Sequence, residues 1–99
     1  MKKVSEKQAK RNKELIKIKK GLPEKCAIPY CYKLGTDLAH ILPKSRFPEY
    51  YTEPKNLVRL CREHHTLFDY DKDFRRMQKD IFKQVAELDF KEAVKHFDF

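Results

Sequence analysis

Two short pairs of metal-binding side chains stand about thirty residues apart in this chain: Cys26-Ala-Ile-Pro-Tyr-Cys31 and Cys61-Arg-Glu-His64. No other feature constrains the fold as strongly. With three cysteines in all, any disulfide scheme leaves one over, and the expected compartment is reducing, so disulfides account poorly for them. Two pairs at this separation read instead as one tetrahedral Cys3His zinc site. Zinc is borderline-soft and takes thiolates and neutral imidazole together. The competing account is that the cysteines are small buried apolar residues and His64 an ordinary helix residue. Size favours the metal. At 99 residues the chain is one domain with little core, and a structural zinc contributes folding free energy of the order of ~10 kcal/mol.

Charge is unevenly placed. Residues 1–20 hold nine Lys and Arg (Lys2, Lys3, Lys7, Lys10, Arg11, Lys13, Lys17, Lys19, Lys20) against Glu6 and Glu14. This segment therefore carries +7 of the formal +8, and the body is nearly neutral. Such a segment either solvates itself or touches nucleic-acid phosphates. With only two glycines, the chain has no Walker or Rossmann phosphate loop. No apolar run approaches the roughly 18 residues of a membrane span. Met1-Lys-Lys-Val-Ser-Glu6 leads into no apolar stretch, so no secretory signal is expected and the expected location is cytoplasmic.

Residues 1–22 read as a basic helical arm. A helix over 5–19 is expected to be frayed at its start, docked near Leu15–Ile18, and stopped by Gly21 and Pro23. Residues 23–99 read as the domain. Leu22–Gly35 is turn-rich, and residues 37–42 form a short strand ended by Pro43. A loop follows to Lys55, in which Phe47, Tyr50 and Tyr51 pack. Asn56–Leu60 is a second strand, and a helix runs from Cys61 or Arg62 to about Tyr70. Asp71 or Asp73 caps the next helix. Phe74, Met77, Ile81, Val85 and Leu88 make an apolar stripe, and Asp89 with Glu92 forms a capping box for a last helix. The expected class is α+β, with two strands, a central helix and flanking helices.

Successive helix residues point about 100° apart, so one metal cannot readily take both His64 and His65. If His64 binds zinc, His65 faces the strands, toward His40 at the end of the first and Asn56 at the start of the second. Asp37-Leu-Ala-His40-Ile-Leu-Pro43 followed by Asn56-Leu-Val-Arg-Leu-Cys61-Arg-Glu-His64-His65 resembles the HNH endonucleases, the ββα-metal or His-Me finger fold. The upstream Cys26/Cys31 pair is similar to that of the zinc-stapled members, and the resemblance covers about residues 24–70. It implies that His40 is the general base, that Asn56 fixes the hairpin loop and the base, and that His65 is a ligand of one catalytic divalent ion, Mg2+ or another. It also implies that Cys26, Cys31, Cys61 and His64 hold structural Zn2+. Many members carry Asp or His just before the base. Here Ala39 stands there, and its methyl cannot coordinate. Asp37 is the substitute, though strand alternation puts residues 37 and 40 on opposite faces unless the strand bends or bulges.

The function so implied is metal-dependent hydrolysis of DNA phosphodiesters, directed at the backbone, with RNA left open as a substrate. Lys44, Arg46, Arg59 and Arg62 are the candidate phosphate contacts; the bland account makes them solvated charge. Asp69 is a weaker candidate for assisting the site, expected rather to cap a helix or pair with a lysine, and His96 is expected to lie on the surface. Nothing resembles a base-reading helix, so sequence specificity would come from a homodimer or a protein partner. The alternatives are a zinc-stabilised nucleic-acid-binding module of the same fold that does not cut, which Ala39 favours, and a protein-interaction scaffold.

Overall fold

A computed structural model describes residues 6–99. Lys2, Lys3 and Ser5, which belong to the expected arm and helix start, lie outside the described residues. The described residues form a mixed α+β domain of four α-helices and one two-stranded antiparallel sheet. Helix α1 spans Glu6–Gly21, β1 Asp37–His40, β2 Leu57–Leu60, α2 Arg62–Tyr70, α3 Lys72–Met77 and α4 Lys79–Phe97. One-turn 3-10 helices at Pro48–Tyr50 and Pro54–Asn56 interrupt the β1–β2 connection. Among the described residues no helix is long and apolar enough to cross a membrane.

Helix α1 buries no residue fully, because its apolar residues are few; Leu15 and Ile18, where docking is expected, are half-buried. Polar groups also hold it. Lys19 Nζ donates to Thr36 O at 2.7 Å, and Arg59 Nη1 to Lys19 O at 3.4 Å. The Arg11 guanidinium lies 4.8 Å from the Tyr51 ring centre. Gly21 does not take the left-handed cap conformation. Instead Leu22 N–H turns back to Lys19 O, and Pro23 ends the helix.

The sheet pairs Asp37 with Leu60 and His40 with Leu57 in regular register. The first strand is shorter than its sequence suggests. Ile41 and Leu42 leave the sheet and are almost wholly buried. Asn56 takes over where the ladder stops, in the 3-10 turn rather than in β2. Its main-chain O accepts from Ile41 N at 2.8 Å and its Oδ1 from Leu42 N at 2.7 Å. Its Nδ2 donates to Leu42 O at 3.2 Å and Tyr50 O at 3.4 Å. A fully buried amide satisfied on both ends fixes the loop against the sheet. Asn56→Ala leaves Leu42 N–H buried and unpaired. The expected cost is about 2–3 kcal/mol, read as a lower urea midpoint at unchanged slope.

Core side chains come from the segment just after β1, from β2 and from α2 and α4: Ile41, Leu42, Leu57, Leu60, Phe68, Val85 and Phe97 are each under 2% exposed. Each contributes roughly 1.5–3 kcal/mol of burial. The expected stripe on the later helices holds at Ile81 and Val85 but fails at Met77, which is 70% exposed. The reason is Gln78, whose non-helical backbone (φ −87°, ψ 70°) separates α3 from α4 and resets the phase. Gln78 is buried instead, its Nε2 donating to Phe74 O. Asp71 caps α3 by accepting from Phe74 N. Asp89 interrupts α4 (φ −153°, ψ 86°), with Oδ1 accepting from Glu92 N and Oδ2 from Tyr50 OH. The expected last helix is therefore the second limb of a kinked α4.

Candidate functional site

The loop before β1 and the start of α2 bring four ligand atoms together. Cys26, Cys31, Cys61 and His64 place one such atom each within 4.8 Å of all the others. The individual separations are 3.6 Å for Cys26 Sγ to His64 Nδ1, 4.0 Å for Cys31 Sγ to Cys61 Sγ, and 3.3 Å for Cys61 Sγ to His64 Nδ1. A tetrahedron with Zn–S near 2.3 Å and Zn–N near 2.0 Å has edges of about 3.5–3.8 Å. Donor type and spacing are thus both compatible with a structural zinc. Local geometry explains the arrangement. Cys61 is the N-cap of α2, so His64 sits one turn along on the same side. Cys31 N–H closes a turn onto Ile28 O, with Pro29 and Tyr30 at its centre. Tyr30 takes a left-handed conformation (φ 69°) that the turn demands. Gly35 is required where this segment crosses β2, because a Cβ there would lie 2.7 Å from Arg59 Cβ. Burial pushes the Cys26 thiol up, whereas the Lys33 N–H hydrogen bond draws the Cys31 thiol down. Phe74 stacks on the His64 ring at 5.5 Å and fixes its plane.

Beside this group lies an open cleft of about 440 Å³ whose lining includes His40, Lys44, His65, Asp69, Arg75 and His96. His40 closes β1, and its Nε2 meets Tyr51 O at 2.9 Å. A carbonyl only accepts, so Nε2 carries the hydrogen and Nδ1 keeps its lone pair. Burial lowers the His40 pKa, and Lys44 lowers it further, so the ring is neutral at neutral pH.

His65, one residue beyond the zinc-type ligand, points away from the thiols. Its Nδ1 meets Asp37 Oδ2 at 2.8 Å, and its Nε2 lies 3.4 Å from Asp69 Oδ2. Hydrogen bonding from His65, with Arg62 nearby, holds the Asp37 carboxyl below the ordinary carboxylate range. Asp37 reaches His65 without any bulge. In the regular register of β1 it shares a face with buried Ala39, and His40 points the other way. The cleft histidines thus approach from different elements, and Asp37 contacts His65 Nδ1 rather than a position beside His40.

The four expected phosphate contacts are scattered. Lys44 is exposed at the cleft, and Arg62 is exposed beside Asp37 at 3.2 Å. Arg46 is exposed and lies over the Phe47 ring. Arg59 does not line the cleft. Its Nε donates to Gly35 O at 2.8 Å and its Nη1 to Lys19 O, so it ties α1 and the cysteine loop to β2.

Asp69, expected first as a cap or lysine partner, instead stands one helical turn after His65 with Oδ2 facing its Nε2. Arg75 and His96 carried no clear signal. Arg75 donates to Phe68 O, Asp69 O and His96 O. His96, expected on the surface, is part-buried against Phe68 and Phe97, and burial together with Arg75 and Arg46 pushes it down to about 4. Comparison of the chain with protein-family models, curated proteins and solved structures finds no match.

Proposed function

We propose that this chain is a metal-dependent HNH-type endonuclease that hydrolyses DNA phosphodiester bonds through backbone contacts, with β1, β2 and α2 as its ββα-metal core. One observation carries the reading. His40, with its lone pair on Nδ1, and His65, with Nε2 facing a carboxylate, share one cleft beside a Cys3His group.

The His65 geometry supports an ion site. Asp37 accepts the Nδ1 hydrogen, so in the neutral ring the Nε2 lone pair faces Asp69 Oδ2 at 3.4 Å. Two acceptors that close need a proton or a cation between them. A carboxylate holding the far nitrogen of a metal-binding histidine is a recurrent way to fix its tautomer and raise its basicity. Asp37 thus orients His65, and Asp69 takes the ligand role that Ala39 cannot. A divalent ion bound there would supply charge neutralisation at the scissile phosphate. His40 Nδ1 would accept the proton of the attacking water, with Tyr51 O holding the ring in place. Lys44 sits where it can meet a neighbouring phosphate, and the basic face of α1 adds affinity that falls steeply with salt.

The test is plasmid nicking. Zinc-loaded protein incubated with supercoiled DNA is expected to yield open circles only when Mg2+ or Mn2+ is added. Binding without nicking under every divalent ion would overturn the reading and leave the non-cutting module, which buried Ala39 favours.

A further inference from the structure

On the far side of Arg75 and His96 lies a second concavity, of about 240 Å³, that no role has yet been given. Arg46, Lys72, Arg75 and Lys95 line it against a single carboxylate, Glu92. Arg75 and His96 also line the cleft, so the two hollows share a wall. We infer that this concavity is a phosphate-binding subsite that takes a backbone phosphate of a nucleic-acid strand passing through the cleft, an occupant that rests on the proposed nucleic-acid function.

Three features support a built site over scattered surface charge. First, Arg75 is immobilised. Its guanidinium gives three N–H groups to the carbonyls of Phe68 (2.8 Å), Asp69 (2.7 Å) and His96 (3.1 Å), leaving two of its five donors. An arginine already held in place presents those donors at little further entropic cost. Second, the neutralisation is incomplete. Lys95 meets Glu92 at 3.5 Å and Lys72 meets Asp98 only at 3.9 Å, with both lysine side chains exposed. Among the described residues neither Arg46 nor Arg75 forms a salt bridge: the Arg75 guanidinium donates to carbonyl oxygens, with Asp69 its nearest carboxylate influence, and Arg46 lies over the Phe47 ring. Third, His96 is held neutral, its protonation opposed by burial and by both arginines. A neutral imidazole in a cationic hollow adds a hydrogen-bonding group and no competing anion. The chemistry fits a tetrahedral oxyanion: fork and point-charge donors together, as phosphate sites use.

The experiment uses the full zinc-loaded chain and two probes. Inorganic phosphate is titrated while the His96 ring resonances are followed by NMR. A fluorescein-labelled duplex is titrated while anisotropy is followed. The variants are Lys72→Ala/Lys95→Ala and, as an equal-charge control on the exposed face of α4, Lys79→Ala/Lys83→Ala. Phosphate is expected to shift the His96 resonances in the wild type and not in the pocket variant. The pocket variant is expected to bind duplex about tenfold more weakly than the control, with a salt slope lower by about one. Unmoved His96 resonances together with equal losses in both variants would overturn the subsite. Phosphate shifts with no duplex binding by any protein would keep the pocket and overturn the nucleic-acid reading that names its occupant.

Discussion

Removing zinc from the Cys26–Cys31–Cys61–His64 group, by chelation or by Cys61→Ser, is expected to unfold the domain. The four donor atoms already lie within 4.8 Å of one another, a grouping compatible with zinc, and structural zinc contributes about 10 kcal/mol or more in small domains. A domain of this size has a net stability of only about 5–15 kcal/mol. The segment from Leu22 to Thr36 has no helix or strand. Besides a lone bridge between Lys25 and Leu34 and its turn hydrogen bonds, it is tied to β2 by Ala27 N–H to Arg59 O and Arg59 Nε to Gly35 O, so the metal would be its main tie to α2. Losing the metal also leaves three buried thiols and a histidine clustered around nothing. Far-UV circular dichroism and a thermal melt with chelator, followed by zinc re-addition, check this. Native ellipticity and an unchanged melt in protein shown to be zinc-free would refute it.

Replacing His40 with Ala is expected to slow nicking by about 10²–10⁴-fold, the usual contribution of a positioned general base, while the protein stays folded. The structural cost is small because, among the described residues, the His40 ring hydrogen-bonds to Tyr51 O alone, on a half-buried side chain. That loss is worth about 1 kcal/mol. The wild-type pH profile carries a second signature. In the proposed reaction His40 would act as neutral imidazole, and burial lowers its pKa from the ordinary 6.5. Activity is therefore full at neutral pH and falls as pH drops through that lowered value, with its acid limb below the usual histidine range. Nicking by His40→Ala at the wild-type rate, or an acid limb above 6.5, would remove His40 from the mechanism.

Some of the site was readable because its residues lie close in sequence. The Cys61–His64 spacing places both on one side of a helix start, and the Cys26–Cys31 spacing spans one turn. That His64 and His65 diverge follows from helical rotation alone. Asn56 was identified from its order in the chain, yet its work is done by a side chain that completes the ladder for Leu42, which no local pattern encodes. The partnership of Asp37 with His65 joins β1 to α2 across 28 residues, and it replaced the expectation that Asp37 would stand in for Ala39 beside the base. Arg59 looked like any cation near the site until the α1 terminus and Gly35 were seen to occupy its guanidinium.

By itself, the sequence determined the α+β class, the two strands, the start of α2 and the four zinc-type ligands. Each of these rests on spacing, capping or donor chemistry within a few residues. Only the tertiary structure decided which way α3 and α4 face, where Gln78 resets the helical phase so that Met77 is exposed and Gln78 buried. It alone brought His96 and Arg75 to the wall of the cleft. The physical reason is that helical periodicity fixes an apolar stripe only within one unbroken helix, whereas the pairing of groups 20 or more residues apart depends on how separate elements pack.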